Sequence, residues 1–178
     1  MPSRLRVPLG YAVGLLVLVL SRPSPVSVLL ALPLGVIGEG IRFWASGHID
    51  KTRSLATGGP YAFTRNPLYL GSVLLALGLA VASASLWAVL AVAAYFAAFY
   101  PSVIREEEGF LREKFAVEYG DWAAEVPSFL PRLTPGGPRA SRFQWKRVGR
   151  NREWRTAIGF LVVAALLYLR HLLAVPAL

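Results

Sequence analysis

Residues 58–71 combine residue types that could bind an anion. The stretch begins with a turn-forming Gly-Gly-Pro sequence, and Asn66 precedes Pro67, which biases Asn66 away from helical dihedral angles. Because Pro67 suits the first turn of a helix, the spacing predicts free backbone N–H groups at a helix N-terminus beside Arg65, an arrangement that attracts anions. The alternative is an interfacial loop with aromatic anchors, for which the stretch supplies Tyr61, Phe63 and Tyr69.

A second candidate is the acidic sequence formed by Glu106, Glu107 and Glu108. Adjacent carboxylates repel one another, but they can accept hydrogen bonds from hydroxyl groups or balance a cation. The alternative is a solvated helix face on which Glu108 pairs with Arg112, four residues later. The following residues predict an amphipathic helix whose aromatic stripe serves packing. The stripe consists of Phe110, Leu111, Phe115, Tyr119 and Trp122.

A third candidate is the Gly-Glu-Gly sequence at residues 38–40. Glu39 and Arg42 are three residues apart on one predicted helix face, so they can neutralise each other, although charges at the end of a membrane span also suggest function. Small residues at Gly35 and Gly38 suit close helix packing. His48 follows, and we expect it to be an exposed loop residue rather than a base.

The composition limits the classes of protein and site. Hydrophobic residues make up 55% of the 178 residues and charged residues 16%, against about 25% charged in an ordinary soluble domain. We therefore expect a single domain that a bilayer solvates in large part. The chain has no Cys, which excludes disulfides and a Cys nucleophile, and with two His residues we expect no metal site.

Five apolar stretches predict an all-α, polytopic membrane protein with about five transmembrane helices. Their approximate bounds are 7–20, 26–45, 68–82, 86–104 and 157–175. Pro33 is expected to kink the second stretch. Three residues separate the third from the fourth, so these two should form a tight central hairpin. The first stretch is short for a span, and a signal peptide is the alternative because Arg4 and Arg6 precede it.

Basic residues predict the orientation of these helices. The 83–85 turn has none, the segment after the second stretch has Lys51, Arg53 and Arg65, and the segment after the fourth is strongly basic. Positive charge favours the cytosolic side. Both polar segments are therefore expected on the cytosolic face, close together around the hairpin.

The basic run at residues 139–155, which begins with Arg139, includes Trp145 and Trp154. We interpret it as a juxtamembrane segment that contacts anionic lipid headgroups, with the Trp side chains at the interface. Nucleic-acid binding would need a soluble basic fold for which this chain has no room, so we expect no nucleic-acid partner. The Pro-Gly-Gly-Pro sequence at 135–138 predicts a linker.

Taken together, the motifs resemble those of the isoprenylcysteine carboxyl methyltransferase family. The run GGPYAFTRNPLYLG resembles its Arg-His-Pro-x-Tyr-x-Gly motif, and EEGFLREKFAVEYGDWAAEVPSFLP resembles its Glu-Glu-x-x-Leu motif with the aromatic and Val-Pro residues that follow. The sequence at 38–40 resembles the Gly-x-Gly of the related phospholipid methyltransferases. The resemblance covers about residues 38–131 and implies an integral membrane methyltransferase that uses S-adenosylmethionine.

The resemblance also implies the site residues. Arg65 and Asn66 would be catalytic, and Glu107 and Glu108 would be the paired carboxylates that hold the ribose or amino end of the cofactor. The residues implied to bind the cofactor are Gly38, Gly40, Tyr61, Arg65, Asn66, Pro67, Tyr69, Leu70, Glu107 and Glu108. Asn66 stands where the family usually has His, and Ala116 stands where Gly is common.

The implied reaction moves a methyl group to a lipophilic acceptor, either an isoprenylcysteine-like carboxylate or a phospholipid amine. Two alternatives stay open. One is an NADPH-dependent membrane reductase, because sterol reductases carry a similar loop. The other is a non-enzymatic lipid-binding or scaffolding membrane protein. The sequence does not identify the acceptor or the oligomeric state.

Overall fold

The computed structural model describes residues 2–50, 54–138 and 140–174, and in this part of the chain it is all-helical. The expectation of an all-α protein is therefore confirmed. The predicted basic residues Lys51, Arg53 and Arg139, and the end of the fifth stretch at residue 175, lie outside the described residues. The elements are α1 (Pro2–Leu20), α2 (Pro25–His48), a short 3-10 helix (Gly59–Ala62), α3 (Pro67–Ala82), α4 (Leu86–Glu125), α5 (Trp145–Arg150) and α6 (Trp154–Ala174).

The five predicted apolar stretches all fall in helices, but these helices differ in length. Within the described residues, α2, α4 and α6 are long and apolar enough to cross a membrane, whereas α1 and the 16-residue α3 are shorter apolar helices. A 16-residue helix measures about 24 Å, less than the roughly 30 Å of a bilayer's hydrocarbon core. Large apolar side chains cover the outer surface, and Leu15, Leu29, Trp87 and Leu161 are each more than 60% exposed, as expected of surfaces that face lipid.

Small residues allow α2 and α3 to pack closely. A Cβ atom at Gly38 would lie 2.8 Å from the carbonyl oxygen of Gly71, and a Cβ atom at Gly78 would lie 3.3 Å from the backbone of Ala31. Such spacing needs the absence of a side chain at the crossing. The predicted packing role of the small residues in α2 is confirmed.

The turn at 83–85 joins α3 and α4 as the predicted hairpin. Ser85 caps α4, because its hydroxyl accepts a hydrogen bond from the Ala88 N–H, and the Ser83 carbonyl accepts one from the Arg22 N–H at 2.7 Å. Val17 of α1 packs with apolar residues of α3 and α4 beside this hairpin. The hairpin therefore sets the position of α4 beside α3.

Helix α4 continues through the predicted acidic motif to Glu125, so the predicted amphipathic helix is its second half. The backbone departs from helical geometry at Ala116 (φ 17°, ψ −90°), where the helix kinks. Tyr119 and Trp122 beyond the kink are 1% exposed and pack with Ala45 and Tyr61. This packing brings the second half of α4 over the loop that contains residues 58–66.

Candidate cofactor pocket

A pocket of about 690 Å³ lies between the 54–72 region and the second half of α4. Its volume falls within the roughly 300–1,000 Å³ typical of ligand sites. Seven of the predicted site residues line it. They are Tyr61, Arg65, Asn66, Pro67, Tyr69, Glu107 and Glu108.

The local fold of the first motif explains how its polar groups reach the pocket. Asn66 has non-helical dihedral angles (φ −125°, ψ 52°), and Pro67 begins α3, as the sequence predicts. The N–H groups of Tyr69 and Leu70 donate to the Asn66 carbonyl at 3.1 and 3.0 Å. These two N–H groups are therefore bonded within the helix end rather than free, and Arg65 is the cationic group of the motif.

Glu108 joins the two motifs. Its Oε1 atom accepts hydrogen bonds from Asn66 Nδ2 at 3.1 Å and from the Ser128 hydroxyl at 2.7 Å, and it lies 3.4 Å from a terminal nitrogen of Arg65. The expected pairing of Glu108 with Arg112 is wrong, because the Arg112 guanidinium lies over the Tyr119 ring instead. The side chain of Glu108 turns inward, where two donors and a cation satisfy it.

Glu107 faces the same pocket from the preceding position of α4. The Tyr69 hydroxyl donates to its Oε2 atom at 2.6 Å. The Tyr69 ring is held edge-on against Tyr100, with 5.3 Å between ring centroids. Two carboxylates therefore enter the pocket side by side, each hydrogen-bonded to a residue of the first motif.

Arg65 has an unused donor at the pocket. One terminal nitrogen donates to the Tyr119 hydroxyl at 3.2 Å, and the other approaches Glu108. The Nε atom is buried and has no hydrogen-bond partner among the described residues. A buried donor without an acceptor is rare in folded proteins, so the residues around the Arg65 guanidinium do not satisfy it completely.

Tyr61 forms part of the apolar floor. Its side chain is buried, and its carbonyl accepts a hydrogen bond from Trp122 Nε1 at 3.0 Å. Burial, and next the negative charge of Glu107, raise the pKa of the Tyr61 phenol well above its ordinary value. The phenol is therefore neutral at physiological pH.

Arg42 also lines the pocket, although its predicted partner is wrong. Its Nε atom donates to Glu153 at 2.5 Å rather than to Glu39. The two carboxylate oxygens of Glu39 have no hydrogen-bond partner within the described residues. Arg42 pairs with Glu153, 111 positions away, rather than with Glu39, three positions away, because α6 begins directly beside α2.

His48 is buried rather than exposed, so that expectation is also wrong. The side chain is 5% exposed, its Nδ1 atom lies 3.0 Å from the Trp44 carbonyl, and it packs against Phe143. Gly59, which has a φ of +60°, lies so close that a Cβ atom there would be 2.4 Å from the imidazole. Both the backbone angle and the contact require glycine at this turn.

Three predicted cofactor residues lie outside the pocket lining. Gly38 packs against α3, Gly40 is exposed with nothing near its Cβ position, and Leu70 lies in the first turn of α3 without lining the pocket. Their cofactor role stays a prediction. The predicted linker at 135–138 is instead packed, because Gly136 N–H donates to the Ala62 carbonyl at 2.9 Å.

Several lining residues were not among the predicted site residues. The aromatic side chains of α4 were interpreted as packing, yet Phe110, Phe115, Tyr119 and Trp122 also line the pocket. Asp50 and Ser72 line it as well, and neither had a recognisable motif. Within the described residues, no group of three or more His, Cys, Asp and Glu side chains could hold a metal ion.

The fold is that of a helical membrane protein, and a pocket with polar and aromatic lining lies between the 54–72 region and the second half of α4. Comparison with known families is more specific, because the phospholipid methyltransferase family matches residues 9–118. The chain belongs to this family. The match includes the first motif and the second motif as far as Glu118, and it ends before α5 and α6.

Two metal-resistance proteins are similar in sequence to part of this chain. The chain is 39% identical over 111 residues to the cobalt-zinc-cadmium resistance protein CzcN of Cupriavidus metallidurans, covering 59% of this chain and 51% of the relative. It is 37% identical over 110 residues to the nickel-cobalt-cadmium resistance protein NccN of Alcaligenes xylosoxydans xylosoxydans, covering 60% and 49%. The matched region thus spans about half the length of these relatives. No solved structure is significantly similar to the chain.

Proposed function

We propose that this chain is an integral membrane methyltransferase that binds S-adenosylmethionine in the 690 Å³ pocket and methylates a lipophilic acceptor. The observation that carries the proposal is the convergence of the two motifs, in which Asn66 and Tyr69 hydrogen-bond to Glu108 and Glu107. Membership of the phospholipid methyltransferase family supports the same reaction class. The apolar helices support a lipid-phase acceptor.

The residues of the pocket fit the chemical groups of this cofactor. Arg65, a cation that lines the pocket, suits a carboxylate end. Glu107 and Glu108 suit hydroxyl groups or an ammonium group, because carboxylates accept hydrogen bonds and balance positive charge. The flat side chains of Phe110, Phe115 and Trp122 suit an aromatic base.

When bound, S-adenosylmethionine supplies an electrophilic methyl group on a positively charged sulfur. The chain's own residues would act by binding and orientation. Glu107 and Glu108 would hold the positively charged ligand, Arg65 would fix its anionic end, and the packed Tyr119 and Trp122 would exclude water from the pocket. Alignment of donor and acceptor is the main requirement of an in-line methyl transfer.

The chemistry of Asn66 limits how each acceptor could react. Its amide donates hydrogen bonds to Glu108 and to the Ser128 carbonyl, but an amide cannot take a proton at neutral pH. A carboxylate acceptor needs no base. A phospholipid amine would need to lose its proton to another group, and the carboxylates of Glu107 and Glu108, which line the pocket, are the candidates for accepting it.

We further propose that the pocket opens at the cytosolic face and that the basic segment before α6 contacts anionic lipid headgroups. Trp145 and Trp154 are 74% and 50% exposed there, and the Arg155 guanidinium lies over the Trp154 ring. This combination suits the headgroup region. The names of the two relatives concern resistance to metal ions.

The experiment is calorimetric titration of the purified, detergent-solubilised chain with S-adenosylmethionine and, separately, with NADPH. We expect the chain to bind S-adenosylmethionine and not NADPH. When membranes are added, labelled methyl groups should pass into a product that organic solvent extracts. Binding of NADPH alone would support a reductase instead. Binding of neither would support a non-enzymatic lipid-binding protein, and either result would overturn the proposal.

A further inference from the structure

Residues 140–156, here called the C-terminal brace, lie outside the part of the chain that matches the family at 9–118. The brace contains α5 and the start of α6. It contacts the end of α2, the loop at 57–58 and Arg42, all of which border or line the pocket. A segment that follows the matched region therefore supports the pocket wall from behind without lining the pocket itself.

The brace donates hydrogen bonds to the backbone carbonyl groups at the end of α2. The last carbonyls of a helix have no partner within the helix, and here the brace supplies donors to four successive ones. Gln144 N–H donates to Gly47 at 2.9 Å, an Arg147 terminal nitrogen to His48 at 3.3 Å, and Asn151 Nδ2 to Ser46 and Ile49 at 2.8 and 3.4 Å. Arg147 also brings a cation to the negative end of the helix dipole.

The brace also pairs with a carboxylate of the pocket wall. Asp50, which follows α2 and lines the pocket, lies 3.6 Å from a nitrogen of Arg147 and 3.1 Å from a nitrogen of Arg150. The Asp50 side chain is 12% exposed. Its negative charge is therefore balanced from behind the pocket wall.

A second ion pair, between Glu153 and Arg42, balances the positive charge of a residue that lines the pocket. Glu153, which is 4% exposed and does not line the pocket, accepts from Arg42 Nε at 2.5 Å. The other Arg42 nitrogens donate to Leu68 O, Ser72 and Thr156. Arg42 is thus held against the wall with its charge compensated, and a buried arginine without such a partner would repel any cation in the pocket.

We propose that Glu153 is a positioning residue that makes the pocket selective for a positively charged ligand over its neutral counterpart. It does so by neutralising Arg42, while the rest of the brace fixes the end of α2. This proposal rests on the proposed function, because it assumes that the ligand carries a sulfonium. S-adenosylmethionine carries that positive charge, and S-adenosylhomocysteine, which lacks the methyl group, carries a neutral thioether in its place.

The test compares the Kd values of these two compounds by calorimetry on the full-length chain. In Glu153→Gln, Arg42 loses the carboxylate that is hydrogen-bonded to it, so the Kd of S-adenosylmethionine should rise about 3- to 10-fold more than that of S-adenosylhomocysteine. In the double variant Arg42→Gln and Glu153→Gln the Kd ratio should return to the wild-type value, because both charges are gone. Glu118→Gln, an exposed carboxylate elsewhere on α4, is the matched control and should leave the ratio unchanged.

A merely structural role would weaken both ligands equally, so an unchanged Kd ratio in Glu153→Gln would overturn the proposal. If that variant cannot be purified, Arg42→Gln replaces it. This variant removes the cation and keeps the Glu153 carboxylate, so S-adenosylmethionine should bind more tightly relative to S-adenosylhomocysteine. An unchanged ratio there overturns the proposal as well. If the wild-type chain binds neither compound, the proposed function has failed instead.

Discussion

Asn66 Nδ2 donates a hydrogen bond to Glu108 Oε1 at 3.1 Å, across 42 positions of the chain. The same amide donates to the Ser128 carbonyl at 2.9 Å. A single buried side chain therefore connects the start of α3, the middle of α4 and the segment that follows α4. Because each of these elements lines or borders the pocket, the geometry of the pocket depends on this amide.

The first prediction concerns the charge state at this connection. Asn66→Asp replaces the donor with a second carboxylate beside Glu108, so it should lower the free energy of unfolding by about 1.5–3 kcal/mol. The measurement is the unfolding midpoint in a mild detergent. Combining Asn66→Asp with Glu108→Gln restores an amide–carboxylate pair and should recover part of the loss. A single variant as stable as wild type would contradict the assigned contact.

The second prediction isolates the Tyr69 hydroxyl. Tyr69→Phe removes the donor to Glu107 but keeps the ring that packs against Tyr100. Because this hydrogen bond is exposed, stability should change by less than about 1 kcal/mol, while S-adenosylmethionine affinity falls about 3- to 10-fold as Glu107 loses its orientation. Calorimetry measures the affinity. Tyr168→Phe on α6 is the control, and an equal effect in both variants would contradict the role of Tyr69.

Local patterns predicted the parts of the site whose determinants are close in sequence. The non-helical Asn66, the helix start at Pro67 and the hairpin at 83–85 each follow from a few neighbouring residues, and the structure has them as predicted. The hairpin also gave the correct expectation that the segments at its two ends lie close together.

Partners chosen by the return of the chain could not be predicted. Arg42 pairs with Glu153 rather than Glu39, and His48 is buried under Phe143, because the C-terminal brace folds back onto the end of α2. No periodicity near Arg42 or His48 encodes that return. Glu108 turns from Arg112 to Asn66 for a related reason, since buried donors outweigh an exposed ion pair.

The third prediction separates packing from cofactor binding at the Gly-x-Gly sequence. Gly38→Ala would bring a Cβ atom to 2.8 Å from the Gly71 carbonyl, whereas Gly40→Ala meets nothing within 4 Å. Gly38→Ala should therefore destabilise the protein by about 1–3 kcal/mol, and Gly40→Ala should be neutral or slightly stabilising. Unfolding midpoints test the pair. A loss of S-adenosylmethionine affinity in Gly40→Ala at full stability would instead support the cofactor role implied by the resemblance.

The fourth prediction follows from the raised pKa of Tyr61. Above the ordinary tyrosine pKa of about 10 the unfolded chain loses the phenol proton while the folded chain keeps it, so stability falls as pH rises. Tyr61→Phe should remove this contribution and give a shallower decline of the unfolding midpoint above about pH 10. Wild type and variant with parallel declines would contradict the neutral, buried phenol.

The most direct test of the central claim is the affinity of Glu107→Gln/Glu108→Gln for S-adenosylmethionine, measured by calorimetry. Glu106→Gln is the matched control, because Glu106 is the adjacent carboxylate and does not line the pocket. Glu107→Gln alone serves as a second variant. Glu107 is exposed, so a glutamine side chain at this position should leave the fold intact. We predict a loss of at least about tenfold in the double variant and wild-type affinity in the control. Unchanged affinity in a folded double variant would contradict the claim that these carboxylates and the first motif form one cofactor pocket.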